Sequence, residues 1–308
     1  MISPDRQLLE QLAREGPHPS DYGPFNDVLQ RSFRSGNKQA NYAEIRDILA
    51  NCLTTNTLQG LALHKPHGYA GDFEIIDKIY MEHRCEDERM RRWDDFFHAQ
   101  TATRAVRNRK RYFHGILDNM PNTHAPASVL NVASGPARCV HEWLSRDTDR
   151  KITFDCIDND LSAIQYAAKL NADHPGRAFF AKANVFRFET HRRYELIWVA
   201  GLCDYFDDDG FITLIKLLTQ MVAPHGQLVL GNFSTQNPSR PYMEVIGDWN
   251  LEHRSKERLL SLAQRAGITS DRVFVDSEPE GVNLFLHINS PQSGTDSTLT
   301  DTPSVCFA

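Results

Sequence analysis

The sequence predicts an α/β fold, with a mostly parallel, doubly wound sheet that follows a helical N-terminal cap. Residues 1 to 122 show helical periodicity and few strand-like runs, whereas residues 123 to 289 alternate apolar or β-branched runs with helical stretches. The turn Pro279-Glu280-Gly281 joins the last two runs as a hairpin. Alternating strands and helices imply parallel strands covered on both faces, and the closing hairpin makes the last strand antiparallel.

Each predicted element follows from a local pattern. The last helix of the cap runs from about Val106 and is stopped by Pro121. Five apolar or β-branched runs predict the parallel strands, over Ser128–Val132, Ile152–Ile157, Ala178–Lys182, Glu195–Val199 and Gln227–Asn232. Helices are predicted over Ala137–Ser145, Ser162–Leu170, Phe211–Met221 and Lys256–Ala266, the last ended by Gly267. The hairpin strands are Arg272–Val275 and Val282–Ile288, and the Ser- and Thr-rich residues 290 to 308 are predicted to be a disordered tail.

Composition excludes several classes of protein. The 308 residues carry 34 Lys and Arg against 40 Asp and Glu, and this net charge of −6 has the wrong sign for binding nucleic acid by counterion release. No apolar run approaches the ~18 residues that cross a bilayer, so no membrane partner is expected. The six cysteines form no CxxC pair and the histidines no metal-binding spacing, so we expect neither disulfides nor a metal site. With no signal-peptide pattern at the N-terminus, these features predict a cytoplasmic protein.

Polar and small residues gather where the predicted strands end. Asn131 ends the first strand, and Ala133-Ser134-Gly135 then forms a tight turn into a helix, which lets the backbone approach a ligand closely. Asp158 ends the second strand, where a carboxylate can accept both hydroxyls of a ribose, and Asp160 is the alternative for that role. Asn184-Val185 follows the third strand. The run Gly201 to Phe206, which includes Asp204 and Tyr205, follows the fourth at the edge where such sheets bind ligands.

A dense loop in the N-terminal region, His64 to Glu74, adds further candidates. Gly68 and Gly71 allow close backbone approach, while Tyr69 and Asp72 supply an aromatic face and an acid. We expect Gly68 to Glu74 to close over a bound ligand and to exclude water.

Together these motifs resemble the class I S-adenosylmethionine (SAM) methyltransferases over roughly residues 60 to 288. The resemblance implies a Rossmann-like sheet and SAM as the cofactor, with Asp158 or Asp160 at the ribose and Asn184 and Val185 at the adenine. It also implies that Ala133, Ser134, Gly135, Gly201 and Asp204 help to bind the cofactor. The sequence departs from the family pattern at Asn131, where an acid is usual, and in the turn, where Gly135 alone remains of three glycines.

Further stretches resemble one bacterial group within that family, whose members are described as synthases of 3-hydroxypalmitate methyl ester. They are Gly231–Phe233, Pro238–Arg240, Asp248-Trp249 and His253–Ser255, together with His64–Glu74 and Gly201–Tyr205. The group is also similar to SAM-cyclising azetidine-2-carboxylate synthases. The resemblance therefore implies a small-molecule substrate. It determines neither the reaction nor the oligomeric state.

Methyl transfer to a natural-product or hydroxy-acid acceptor is the first hypothesis. The alternative is cyclisation, in which the α-amine of SAM attacks its own Cγ and gives azetidine-2-carboxylate and methylthioadenosine. A neutral Asn131 favours this alternative, because an acid beside the amine would stabilise its unreactive ammonium form. A third hypothesis is a SAM-binding protein without catalysis.

The candidate catalytic residues are Tyr69, Asp72, Asn131 and Tyr205. Either tyrosine can hold a sulfonium by cation–π attraction of roughly 0.5 to 2 kcal/mol. The basic run from Arg104 to Arg111 is interpreted either as a solvated helix face or as the source of an arginine, Arg104 or Arg107, that meets a carboxylate of SAM or of the substrate.

Overall fold

The computed structural model describes residues 3–121, 126–146 and 149–291, so the predicted disordered tail lies almost entirely outside the described residues. Within these ranges, seven α-helices precede the first strand. They are α1 Pro4–Glu15, α2 Tyr22–Arg34, α3 Lys38–Ile48, α4 Leu58–His64, α5 Phe73–Tyr80, α6 Glu88–Ala99 and α7 Thr101–Asn119. None of the described helices is both long and apolar enough to cross a membrane.

Seven strands then form one sheet in the order β3-β2-β1-β4-β5-β7-β6. They are β1 Ala127–Val132, β2 Ile152–Asp158, β3 Ala178–Lys182, β4 Tyr194–Val199, β5 Val222–Phe233, β6 Val273–Ser277 and β7 Asn283–Asn289. The first five are parallel, and β7 pairs antiparallel with β5 and β6. The connecting helices are α8 Arg138–Arg146, α9 Leu161–Leu170, α10 Asp208–Thr219, α11 Arg240–Val245 and α12 Lys256–Arg265. The predicted fold class is confirmed.

Element boundaries differ from the predicted ones where a side chain caps a helix or a strand extends past its apolar run. Helix α10 begins three residues earlier than predicted, because the Asp207 carboxylate accepts the Gly210 N–H at 2.8 Å. Strand β5 begins at Val222, before the buried run, and its register with β4 shifts between Tyr194 and Leu196. The sequence pattern marks the buried run of β5 but not this extension, in which Pro224 and His225 are exposed.

Hydrophobic side chains pack on both faces of the sheet and among the N-terminal helices. On one face, α10 and α12 cover β1, β4 and β5, while on the other α7 and α8 pack against the same strands through Phe113, Leu117 and Trp143. The N-terminal helices form a third cluster, which includes Phe233 at the end of β5 and Tyr242 in α11. Helix α7 belongs to two clusters: Ala102, Ala105 and Val106 pack among the N-terminal helices, and Phe113 and Leu117 pack against the sheet.

Candidate active site

A cavity of about 800 Å³ opens at the carboxyl ends of the parallel strands, beneath the loop before α5. Eleven of the predicted site residues line it: Tyr69, Asn131, Ala133, Ser134, Gly135, Asp158, Asp160, Asn184, Val185, Gly201 and Tyr205. The part of the cavity around Asp158, Asp160 and Asn184 is called the β2–β3 end. The part around Asn131 and Gly201 is called the β1–β4 end.

The turn after β1 keeps a glycine-like backbone although two of its residues are alanines. Ala133, Gly135 and Ala137 have φ angles of 50°, 52° and 48°. A left-handed conformation costs a non-glycine residue roughly 1 to 2 kcal/mol, so the surrounding structure holds this turn under strain. Among the described residues, the buried Oγ of Ser134 and Nδ2 of Asn131 have no hydrogen-bond partner. Ser134 and Asn131 line the cavity, although these two atoms are themselves buried.

Asp158 is positioned by backbone hydrogen bonds on both of its carboxylate oxygens. Oδ2 accepts the Gly135 N–H and Oδ1 accepts the Asp160 N–H, each at 2.9 Å. A carboxylate offers about four lone-pair sites, so two remain for ligand hydroxyls. Burial raises the pKa of Asp158, and the two backbone donors oppose that effect. The side chain is therefore a fixed acceptor in the cavity wall.

The β2–β3 end continues as an apolar slot. Asn184 Oδ1 accepts the Phe186 N–H at 2.9 Å, which leaves one lone pair and the Nδ2 donors for a ligand. Val185 is buried, and the ring of Phe186 meets that of Phe206 edge-on with centroids 5.2 Å apart. A flat heterocycle with polar edges suits this slot.

Two tyrosine hydroxyls hold the loop before α5 over the cavity mouth by hydrogen bonds. The Tyr69 hydroxyl donates to Asp160 Oδ2 at 3.0 Å, and the Tyr205 hydroxyl donates to the Ala70 carbonyl at 2.7 Å. The indole Nε1 of Trp249 donates to the Tyr205 hydroxyl at 3.1 Å and holds that ring in place. Both phenol groups are engaged through their oxygens, so it is their ring faces that remain for a bound cation.

Several solved structures are similar to this chain. A protein of Bordetella parapertussis described as a possible exported protein has a TM-score of 0.59 and 17% identity, with 94% of this chain and 100% of that chain covered. The citrinin polyketide synthase CMeT domain has a TM-score of 0.51 and 14% identity, covering 92% and 69% of the two chains. The apo form of the S-adenosylmethionine-dependent methyltransferase SibL has a TM-score of 0.50 and 16% identity, covering 86% and 73%. The chain has the class I methyltransferase fold. No family model and no curated protein matches the sequence.

Three of the predicted site residues do not line the cavity of this methyltransferase fold. Arg104 forms a bidentate ion pair with Glu280, both contacts at 2.9 Å, and so points to the β6–β7 turn. Asp72 caps α5, its Oδ1 accepting the N–H groups of Glu74 and Ile75 at 3.1 Å. Asp204 is buried, accepts the Phe233 N–H at 2.6 Å and joins β4's loop to the end of β5. Each is engaged in holding the fold around the cavity.

Arg109 lines the cavity and was not among the predicted site residues. Only 7% of it is exposed, and its guanidinium donates to the Tyr80 hydroxyl and the Ala200 carbonyl, both at 3.0 Å. A helical pattern in the sequence could have found it, because Arg109 continues the apolar stripe of α7 through Ala105, Val106 and Phe113. The basic run around Arg109 instead favours a solvated helix face, or Arg104 or Arg107 as the functional arginine.

Proposed function

We propose that this cavity binds SAM and that the protein transfers its methyl group to a small-molecule acceptor. The observation that carries the proposal is Asp158, held at the end of β2 by two backbone N–H groups with lone pairs left for the two ribose hydroxyls. The apolar slot at Asn184 and Val185 would then receive the adenine. A volume of about 800 Å³ lies within the range of small-molecule sites, and similar structures such as SibL are SAM-dependent methyltransferases.

The reaction needs positioning more than acid–base chemistry. An acceptor atom forms a bond to the methyl carbon while the carbon–sulfur bond breaks. The electron pair of that bond leaves with sulfur as S-adenosylhomocysteine, and a protonated acceptor releases its proton. The positive sulfur is already a good leaving group, so the protein must align the acceptor and exclude water. The ring faces of Tyr69 and Tyr205 at the mouth would stabilise the sulfonium, and the loop that carries Tyr69 would close the site.

Cyclisation of SAM is the second candidate, and the distribution of charge in the cavity favours it. Among the described residues, the carboxylates that line the cavity are Asp158 and Asp160, both at the β2–β3 end. The β1–β4 end presents the amide of Asn131 and the cation of Arg109, so no acid there stabilises an α-ammonium. A neutral α-amine could attack Cγ, with the Cγ–sulfur pair leaving as methylthioadenosine and the amine losing a proton.

Incubation with SAM, with and without candidate acceptors, distinguishes these reactions by their products. Acceptor-dependent S-adenosylhomocysteine supports methyl transfer, whereas methylthioadenosine from SAM alone supports cyclisation. Asp158→Asn should weaken SAM binding by about 10- to 100-fold, the range for hydrogen bonds to a charged group. The matched control is Asp155→Asn on the same strand, since Asp155 pairs with Arg192 outside the cavity. Equal affinities of wild type and Asp158→Asn in calorimetry would contradict the assignment.

A further inference from the structure

His67, in the loop before α5, lines the cavity and is paired with a carboxylate. Its Nε2 lies 3.4 Å from Oε2 of Glu74 in the first turn of α5, and no hydrogen bond among the described residues uses its Nδ1. A carboxylate at one ring nitrogen holds the proton there and leaves the other nitrogen as the acceptor. His67 and Glu74 therefore have the arrangement of a general base and the group that orients it.

The other titratable groups that line the cavity in the described part of the chain are less suited to accept a proton. They are the hydroxyls of Tyr69, Tyr80 and Tyr205, the thiol of Cys139, the carboxylates of Asp158 and Asp160, and the cations of Arg109, Arg138 and Lys182. Burial raises the pKa of the three hydroxyls and of the thiol, so they stay protonated at neutral pH. Both carboxylates already accept two hydrogen bonds at the β2–β3 end. An imidazole is the side chain that ordinarily titrates near neutral pH, which suits a base.

A contact through Phe73 places His67 over the end of β1. The two rings are tilted with centroids 4.3 Å apart, and Phe73 Cβ lies 3.8 Å from an ideal Cβ at Gly135 in the turn after β1. Strand β1 lies beside β2, on the side away from β3, and neighbouring strands are about 4.8 Å apart. A SAM molecule with its adenine toward β3 and its ribose at Asp158 would carry its sulfur toward this turn. His67 thus lies over the part of the cavity where the reacting carbon would be.

The charged groups that influence His67 in the described structure lie on its own loop and on α5. Besides Glu74, Asp72 interacts with it electrostatically, and Lys78 Nζ lies 3.6 Å from Oε1 of Glu74. Helix α9 contributes Tyr166, which packs on the ring that His67 also contacts, and burial raises the pKa of its hydroxyl. The two carboxylates would therefore stabilise an imidazolium once the ring has accepted a proton.

We propose that His67 takes up the proton that the attacking group loses, with Glu74 as its positioning residue. The inference rests on the proposed SAM site. In methyl transfer, the acceptor's O–H or N–H gives its proton to Nδ1 as the acceptor's lone pair bonds to the methyl carbon and the methyl–sulfur pair leaves with sulfur. In cyclisation, Nδ1 first takes a proton from the α-ammonium, and the amine then attacks Cγ. The imidazolium returns the proton to water, so one base serves either reaction.

The position of His67 is tested by calorimetry with SAM and S-adenosylhomocysteine, because only SAM carries the sulfonium charge. A sulfonium disfavours a nearby imidazolium, so the ratio of the two affinities should shift toward SAM by at least about threefold from pH 5.5 to pH 8. His67→Gln should lose most of this rise. His64→Gln is the matched control and should keep it, since His64 contacts the Leu53 carbonyl and does not line the cavity.

The role as a base is tested on whichever product the wild type forms. His67→Gln should lower turnover at least about 100-fold, and imidazole added to His67→Ala should restore part of it. Glu74→Gln should keep the affinity for S-adenosylhomocysteine and move the acid limb of the pH–rate profile to lower pH, because the imidazolium loses a stabilising partner. A merely structural role of Glu74 would leave that limb in place.

The outcomes separate this inference from the proposed function. An affinity ratio that is independent of pH in the wild type would overturn the position of His67 and needs no variant that must fold. Turnover of His67→Gln within about threefold of the wild type would overturn its role as the base. Failure of the wild type to bind both SAM and S-adenosylhomocysteine would instead reject the SAM site itself.

Discussion

The hydroxyl of Tyr69 donates a 3.0 Å hydrogen bond to Asp160 Oδ2 and so links the loop before α5 to the end of β2. Asp160 also caps α9, since its Oδ1 accepts the Ser162 N–H. Partial burial and the negative charges of Asp158 and Asp160 raise the pKa of Tyr69, so it remains a neutral phenol that donates. One helix cap thus fixes both the helix and the loop that covers the cavity.

Removing that hydroxyl should loosen the loop. We expect Tyr69→Phe to raise the dissociation rate of S-adenosylhomocysteine by about 3- to 10-fold, since a partly exposed hydrogen bond contributes roughly 1 kcal/mol. Stopped-flow fluorescence measures this rate through Trp198, which lines the cavity. The control is Tyr112→Phe, because the Tyr112 hydroxyl also donates to a carboxylate, Asp276, but does not line the cavity. Identical rates for the two variants would show that the Tyr69 contact does not retain the ligand.

Gly71 is required by both its backbone and its surroundings. Its φ is +66°, and a Cβ there would lie 2.4 Å from Trp249 Cζ2 and 2.8 Å from the Tyr205 hydroxyl. Gly71→Ala should therefore displace the loop and lower turnover by at least about tenfold, which a product assay with saturating SAM would show. Gly68→Ala is the matched control, since Gly68 also has a positive φ of +87° but has nothing within 4 Å of the added carbon. Equal losses in both variants would indicate backbone strain alone rather than the clash with Trp249 and Tyr205.

The sheet and most of its strand-end residues could be predicted because they depend on local patterns. A buried run followed by a small-residue turn predicts β1 and its loop, and Asp158 follows directly from its place after β2. The left-handed φ of Ala133 and Ala137 could not be predicted, since alanine has no intrinsic preference for it and tertiary packing imposes it.

The residues that the sequence misplaced depend on distant partners. Nothing within the Gly201 to Phe206 run indicates that Asp204 meets the Phe233 N–H, which is 29 residues away. Arg104 lies five residues before Arg109 on one helix, and only the packing of α7 shows that the first faces Glu280 and the second faces the cavity. Helical periodicity contained part of this information, because positions five apart lie on different faces of a helix.

The titration of Asp204 predicts how stability depends on pH. Burial raises its pKa to about 7, against the opposing effects of the Phe233 N–H and the charges of Arg109 and Arg254. Between about pH 4 and pH 7 the folded state keeps a proton that the unfolded state has lost, so the free energy of unfolding falls as pH rises. A shift of about three units corresponds to roughly 4 kcal/mol, all of it lost above pH 7. Asp204→Asn cannot titrate and should be the more stable protein at pH 8 but not at pH 4.

Urea unfolding of both proteins from pH 4 to pH 8 measures this difference. Asp208→Asn is a control for which the free energy of unfolding should depend on pH in the opposite direction. Burial tends to raise the pKa of Asp208, but hydrogen bonds and charges from Arg258 and Arg254 hold that pKa below its usual range. Its contribution to stability is present above about pH 4 and lost in acid, so Asp208→Asn should weaken the protein at pH 8. Parallel pH profiles of wild type and Asp204→Asn would show that Asp204 does not titrate in this window.

The exchange Asn131→Asp separates methyl transfer from cyclisation. Asn131 is 3% exposed at the end of β1, and a carboxylate there would stabilise the α-ammonium of bound SAM and raise the pKa of the amine. The amine takes no part in methyl transfer, so we expect acceptor-dependent S-adenosylhomocysteine formation to change by less than about threefold. Cyclisation needs the neutral amine, so its rate at neutral pH should fall about tenfold for each unit by which that pKa rises.

The measurement is the pH–rate profile of wild type and Asn131→Asp with SAM as sole substrate, with both methylthioadenosine and S-adenosylhomocysteine quantified. A cyclase would show a rate that rises with pH through the amine pKa, and the variant's profile would move to higher pH because more of its bound amine is protonated at any given pH. Asn184→Asp is the control, since it adds a carboxylate to the same cavity at the β2–β3 end, away from the amine. A similar shift in that variant would mean that general negative charge, rather than a partner beside the amine, is responsible. No methylthioadenosine above the uncatalysed background in wild type at any pH would eliminate cyclisation, because every turnover of the amine attack releases methylthioadenosine; an acceptor screen for S-adenosylhomocysteine would then test methyl transfer.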